Sequence, residues 1–311
     1  MNTQLFIPVF STLLLTISSG TLAASHNKLV YLNQYDLDNN GELALTEFDQ
    51  ARKQRFDLTD EDHNGLVDEN EYVFEYQNRM DKQLAEDRLN QVKQTVVRFK
   101  SLDKNDNGRV EWSEYQASGE RSFTHYDGNQ DNVINKDEPP KSRPNAQKPN
   151  EELQTAQQIE DEKQLALQRA KRLLRMPSTH SSNGFFSKYD SDQDGIISRA
   201  EFDQRRRNDF DLTDEDKNGW LSQQEYLFEY ENRLDQQIAR TRKGAIKQTY
   251  VRFNILDKDK NGGMTFAEYQ LSGHRSFNRW DTNQDGVVSM LDPEPEQRRY
   301  AKDDKANNTG K

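Results

Sequence analysis

The sequence predicts an all-α fold, built as a tandem duplication of four-loop helical domains joined by a helical linker. Three observations carry that expectation. The second half of the chain repeats the first at a constant offset of 154 residues. Each half holds four short acidic loops written on one template, flanked by apolar residues at helical spacing. Between loops, the stretch from Tyr72 to Leu102 contains neither Gly nor Pro, the strongest punctuators of a helix.

Composition narrows what such a chain does. Of 311 residues only 32% are hydrophobic and 31% are charged. Apolar burial alone then offsets little of the folding entropy, so the chain needs an additional staple or stays partly disordered. The absence of cysteine excludes disulfides, thiolate catalysis and Cys-based zinc sites. Fifty-four acidic against 43 basic residues give a formal charge of −11, which argues against nucleic acid as a partner. A hard cation remains the available staple.

Residues 1–24 read as a signal peptide. Leu5 to Ile17 is an apolar run, followed by Ser18-Ser19-Gly20-Thr21 and the small pair Ala23-Ala24, where cleavage is expected. No Lys or Arg precedes the run. No other stretch is apolar enough to span a bilayer, so the expected product has no transmembrane segment after signal removal. It is exported, to the periplasm or the medium, with the eukaryotic secretory pathway as the alternative.

The repeat then sets the domains. FDLTDEDHN at Phe56–Asn64 returns as FDLTDEDKN at Phe210–Asn218, and EYQASGERSFTHYD at Glu114–Asp127 as EYQLSGHRSFNRWD at Glu268–Asp281. The expected boundaries are residues 25–138 and 184–295 for the two domains. Residues 139–183 form a Pro-rich linker and interdomain helix, and 296–311 a polar disordered tail. Within the linker, Glu151 to Met176 is acidic at its start and basic at its end, which suits a helix dipole, with Asn150 as cap.

The loops carry the chemistry. The first reads Asp36-Leu-Asp38-Asn-Asn40-Gly41-Glu42-Leu43-Ala-Leu-Thr-Glu47. Oxygen side chains fall at positions 1, 3, 5 and 12, glycine at 6 and an aliphatic residue at 8. Calcium takes six to eight oxygens at about 2.3–2.6 Å, and this spacing supplies them: alternate side chains of a tight turn, the backbone carbonyl of position 7 and a terminal carboxylate. In the first loop the ligands are Asp36, Asp38, Asn40, Glu42 and Glu47. The second offers Asp60, Asp62, Asn64, Leu66 and Glu71; the third, Asp103, Asn105, Asn107, Arg109 and Glu114; the fourth, Asp127, Asn129, Asp131, Val133 and Glu138. In the second copy they are Asp190, Asp192, Asp194, Ile196 and Glu201, then Asp214, Asp216, Asn218, Trp220 and Glu225. The last two sets are Asp257, Asp259, Asn261, Gly263 and Glu268, and Asp281, Asn283, Asp285, Val287 and Asp292.

These loops resemble the EF-hand, and the chain as a whole is similar to secreted multi-EF-hand calcium-binding proteins of the bacterial exported type, more distantly to the reticulocalbin and calumenin group. Seven loops meet the pattern D-x-[DN]-x-[DN]-G-x5-[DE]; the fourth has Asn132 in place of glycine. The fifth, with four carboxylates, is expected to bind tightest and the third, with two, weakest. The shorter arm of Asp292 leans the eighth loop towards magnesium. Full loading would take the formal charge from −11 to +5.

Large side chains four residues before each loop (Leu32, Phe56, Phe99, Phe123, Phe186, Phe210, Phe253, Phe277) are the expected core. Only twelve residues separate the first loop from the second, room for one shared helix. Tyr72–Leu102 is expected as one long helix or a tight hairpin. Its apolar stripe (Tyr76, Met80, Leu84, Val92, Val96) is mirrored by Tyr230, Leu234, Ile238, Ile246 and Tyr250 and reads as core. Spacing does not determine which loops pair.

No Ser nucleophile motif, phosphate-cradling loop or His-based site occurs, so no enzyme is expected. The expected function is calcium binding at up to eight sites, with the ions mainly stabilising the fold. The alternative is a calcium-responsive adaptor that exposes an apolar surface to a protein partner.

Overall fold

The computed structural model describes residues 27–138 and 155–295; the stretches expected as signal peptide, Pro-rich linker and polar tail lie outside them. The described residues are mostly helical. In chain order the first copy supplies α1 (Lys28–Tyr35), β1 (Glu42–Ala44), α2 (Leu45–Thr59), β2 (Leu66–Asp68), α3 (Glu69–Leu102), β3 (Arg109–Glu111), α4 (Trp112–Tyr126) and β4 (Val133–Asn135). After α5 (Ala156–Lys171) the second copy supplies α6 (Ser182–Tyr189), β5 (Ile196–Ser198), α7 (Arg199–Thr213), β6 (Trp220–Ser222), α8 (Gln223–Leu256), β7 (Gly263–Thr265), α9 (Phe266–Trp280) and β8 (Val287–Ser289). Every element of the first copy recurs in the second at the sequence offset. The all-α expectation omitted eight three-residue strands, which form because the aliphatic residue of each loop needs a partner.

Local rules account for the helices. The first Asp of a loop closes the helix before it: the amides of Asp36, Asp60 and Asp127 donate to carbonyls four residues back at 2.8–2.9 Å. The loop's last carboxylate opens the next helix. In α7 and α9, Ser198 with Glu201 and Thr265 with Glu268 form reciprocal capping boxes. One shared helix, α2, joins the first two loops, and α3 is continuous over 34 residues rather than a hairpin.

The strands pair between the copies, not within them. All four sheets are two-stranded and antiparallel, and each places two loop aliphatics opposite each other: Leu43 with Val288, Val67 with Met264, Val110 with Leu221, Ile134 with Ile197. All eight side chains are at most 1% exposed. The first loop therefore pairs with the eighth, the second with the seventh, the third with the sixth and the fourth with the fifth. The compact units consequently differ from the sequence halves expected as domains. One unit runs to Glu71 and resumes at Asn254; the other spans Tyr72–Phe253.

In the first unit, α2 packs on α9 over a core of Tyr31, Tyr35, Leu43, Phe48, Phe277, Trp280 and Val288. In the second, α4 packs on α7, and Phe123, Tyr126, Ile134, Phe185, Phe186, Tyr189, Ile197 and Phe202 close one end. Here α3 and α8 are tied by two ion pairs related by the repeat, Arg88–Asp235 and Arg242–Asp81, both at 2.8 Å. All eight large residues ahead of the loops are buried. The long-helix stripe is buried at Tyr76, Met80, Leu84, Tyr230 and Leu234, but Tyr250 is 41% exposed and so lies outside the core.

The linker helix is shorter than the sequence indicated. Thr155, not Asn150, caps α5, through a capping box with Gln158. The helix stops at Lys171 because the chain turns to donate the Leu173 and Leu174 amides to the buried Asp87 carboxylate of α3, at 2.8 and 2.9 Å. Leu174 is 1% exposed.

Candidate metal centres

Each loop is folded by its own acidic side chains. In all eight, one carboxylate oxygen of position 1 accepts the amide of position 6, from Gly41 to Asp36 at 2.9 Å through to Gly286 to Asp281 at 3.1 Å. The side-chain oxygen of position 5 accepts the amide of position 7, at 2.7 Å for Glu42 to Asn40 and 2.9 Å for Trp220 to Asn218. These bonds turn the backbone so that the position 7 carbonyl is left for a ligand.

The turn requires two left-handed residues. At position 6, six glycines and Gly41 lie at φ between 82° and 90°, and Asn132 adopts 66°. Asn is among the few side chains that tolerate this region, and its amide still reaches Asp127 at 3.1 Å. Position 4 is left-handed as well, at Asn39, His63, Asp106, Gln130, Gln193, Lys217, Lys260 and Gln284. The sequence reading did not identify this position; Asn39 and Asp106 were the available signal.

The position 12 carboxylate crosses back over the loop. One oxygen of Glu47 accepts from Leu37 N at 2.7 Å, of Glu71 from Glu61 N at 2.8 Å, and of Glu114 from Lys104 N at 2.7 Å. Glu138, Glu225 and Glu268 do the same from Asn129, Glu215 and Lys258. Asp292 also spans its loop, accepting from Thr282 N at 3.1 Å and Ser289 N at 2.8 Å. Its shorter arm reaches because residues 290–292 form a turn there.

Burial works to raise the carboxyls of Glu225 and Glu268. Hydrogen bonds from Ser222 and from the backbone of Asp216 and Glu215 outweigh it at Glu225, and those from Thr265, Lys258 and Asp259 do so at Glu268. Both stay ionised below the usual glutamate range.

Five loops bring three carboxylates within 4.8 Å of one another: Asp36, Asp38 and Glu47; Asp60, Asp62 and Glu71; Asp190, Asp192 and Asp194; Asp214, Asp216 and Glu225; Asp257, Asp259 and Glu268. Among the described residues the third, fourth and eighth loops hold no such triple; these are the loops with asparagine at position 3 (Asn105, Asn129 and Asn283), where the other five have Asp.

The fifth loop stands apart. Glu201 Oε1 and Asp190 Oδ1 are buried with no hydrogen-bond partner among the described residues. In the other seven loops the corresponding oxygen accepts from an amide at position 2 or 3; here only the second oxygen, Glu201 Oε2, is held, by Ser198 N at 3.0 Å and Ser198 Oγ at 2.9 Å. A desolvated carboxylate oxygen beside further acids is costly without a cation, and Asp190 lies in the triple with Asp192 and Asp194, which Glu201 does not join within 4.8 Å. This donor set, all hard oxygen, suits calcium.

Residues 184–204, which enclose this fifth loop, match the family described as EF hand. Comparison with curated proteins and with solved structures returns no match. No helix among the described residues is long and apolar enough to cross a membrane.

The sequence reading missed two buried arginines. Arg52 and Arg206, equivalent under the repeat, are 5% and 6% exposed and lie over the Tyr269 and Tyr115 rings at 3.7 and 4.2 Å. Each sits against a mid-helix glycine, Gly273 and Gly119 respectively. A glycine recurring at one place in two helices, where it is unfavourable, was the available signal.

Proposed function

We propose that the chain is an exported calcium-binding protein with up to eight EF-hand sites, whose ions mainly hold the fold together. The triple of Asp190, Asp192 and Asp194, with a buried Asp190 oxygen that has no hydrogen-bond partner, carries this reading, because a hard divalent cation is the group that satisfies such a set. The EF-hand match over the same loop and the four further carboxylate triples support it. In this reading the protein works in a calcium-rich compartment outside the cytoplasm, as bacterial exported EF-hand proteins do. The eighth loop, ending in Asp292, accepts magnesium more readily than the rest, and no catalysis is involved.

The small cores favour a stapling role over a responsive one. The loop aliphatics and the large residues ahead of the loops are buried, so calcium loading has little of this surface to expose to a partner. Loss of the ions therefore releases the acidic loops to repel one another.

The test is a calcium titration by calorimetry on chelator-stripped mature protein with millimolar magnesium present, paired with far-UV spectra. Stapling predicts dissociation constants well below about 10⁻⁴ M, the lower edge of the range for extracellular modules, and a large loss of helicity in chelator. Identical spectra with and without chelator overturn it. Constants of about 10⁻⁴–10⁻³ M with helicity retained would instead favour the calcium-responsive adaptor.

A further inference from the structure

Helices α2 and α9 meet through the same motif that joins α4 to α7. In the first contact Arg52 packs against Gly273, and Gln270 donates to Asp49. In the second Arg206 packs against Gly119, and Gln116 donates to Asp203 at 2.8 Å. All these positions correspond under the 154-residue repeat.

The contacts differ at two pairs of corresponding positions. At α4 and α7, Glu120 accepts from Arg199 Nη1 at 2.9 Å, and Arg199 Nε also bonds Asp203 at 2.8 Å. At α2 and α9, the counterpart of Glu120 is His274, whose Nε2 lies 2.9 Å from Asp49 Oδ1. The counterpart of Arg199 is Leu45.

Consider each repeat closing on itself, α2 on α4 and α7 on α9. The motif residues would still match. Glu120, however, would face Asp49 and Leu45, two carboxylates with no cation between them. His274 would face Arg199, and the two would compete for Asp203. Like-charge juxtaposition of this kind is how interfaces reject wrong partners. We propose that positions 45, 120, 199 and 274 form a charge code that makes each repeat recognise the other and reject itself. The two repeats then behave as mutually specific subunits that hold together without their covalent link.

The test uses the full chain with a protease site placed within residues 145–150 and cut after folding. Association of the halves is read by light scattering across a dilution series at one fixed calcium concentration, so the outcome does not depend on what the ions do. The nicked parent is expected to keep the mass of the intact chain. E120H with H274E mismatches both cross-repeat contacts and matches both self-contacts; L45R with R199L does the same from the opposite helices. Each pair is expected to weaken association about tenfold or more. All four substitutions together re-match the cross-repeat contacts and are expected to restore it. That rescue separates mispairing from simple unfolding, because damage from two pairs of substitutions accumulates rather than cancels. Separation of the nicked parent overturns the proposal, as does either pair leaving association unchanged, or the fourfold variant failing to recover.

Discussion

Gly273→Ala places a methyl group where the structure has a buried arginine. The added Cβ would lie 2.2 Å from Arg52 Nε, 2.6 Å from its Cδ and 2.7 Å from its Cζ. The guanidinium is held on several sides. Its Nε donates to Gln270 Oε1 at 2.8 Å, and Nη2 to the Tyr269 carbonyl at 2.5 Å and to Ser272 Oγ at 3.3 Å. Displacing it breaks at least two bonds to a charged donor, worth about 1.5–3 kcal/mol each, so the loss is about 3–6 kcal/mol. Alanine returns about 1 kcal/mol of helix propensity. The expected net destabilisation is about 2–5 kcal/mol. Urea unfolding at saturating calcium measures it, followed by Trp280 emission in a chain with Trp112 and Trp220 changed to Phe. In an Arg52→Ala background the same glycine substitution should be neutral or stabilising, since nothing remains to clash with. If Gly273→Ala is neutral or stabilising in the parent chain as well, the interlock is not a determinant of stability and the reasoning fails.

Three other perturbations follow from the same geometry. Asp87→Ala leaves two amides, of Leu173 and Leu174, without their acceptor, at about 1–3 kcal/mol apiece; limited proteolysis should begin cutting near residues 172–178 while α3 stays protected from hydrogen exchange. Asn132→Gly relieves a left-handed side chain at φ 66° and should stabilise the fourth loop by up to about 1 kcal/mol, seen as tighter calcium binding there by calorimetry. For the calcium-free protein, Glu225 and Glu268 are held below the usual glutamate range. A depressed carboxyl gives its full contribution above the unfolded value of about 4.3 and loses it as pH falls through the folded value. The helicity that survives in chelator, read by far-UV spectra, should therefore fall as pH drops below about 4.3, and Glu225→Gln with Glu268→Gln should flatten the dependence.

The loops and the core were legible because both are local. Oxygen side chains at alternate positions, a glycine at the sixth and an aliphatic at the eighth fix one turn, and Phe56 or Phe210 four residues ahead falls on the buried side of a helix whatever lies further away. Pairing was not legible. A three-residue strand with one central aliphatic carries no register of its own, so Leu43 matches Ile134 as well as Val288. The choice is made by α2 on α9 and α4 on α7. Arg52 with Gly273 and Arg206 with Gly119 are the same in both contacts and do not choose between them; the residues that differ, Leu45 with His274 and Arg199 with Glu120, are 229 and 79 positions apart. Asp87 escaped for a related reason. A lone acid on a helix reads as solvent-facing until the 171–174 segment, far along the chain, supplies two amides to bury it.

The nested pairing also imposes an order of assembly on the chain. The central strand residues of the innermost pair, Ile134 and Ile197, are 63 residues apart, and those of the next, Val110 and Leu221, are 111 apart. The outer pairs span 197 residues, Val67 to Met264, and 245, Leu43 to Val288. Closing a loop costs more entropy the longer it is, but each pair formed shortens the remaining excursion of the next. Folding that starts at the linker and proceeds outwards therefore meets four modest closures instead of one very long one. On that order the first hand, α1 to α2, would be the last to find its partner, with Tyr31, Phe48 and Leu43 exposed until the last strand of the second copy is made.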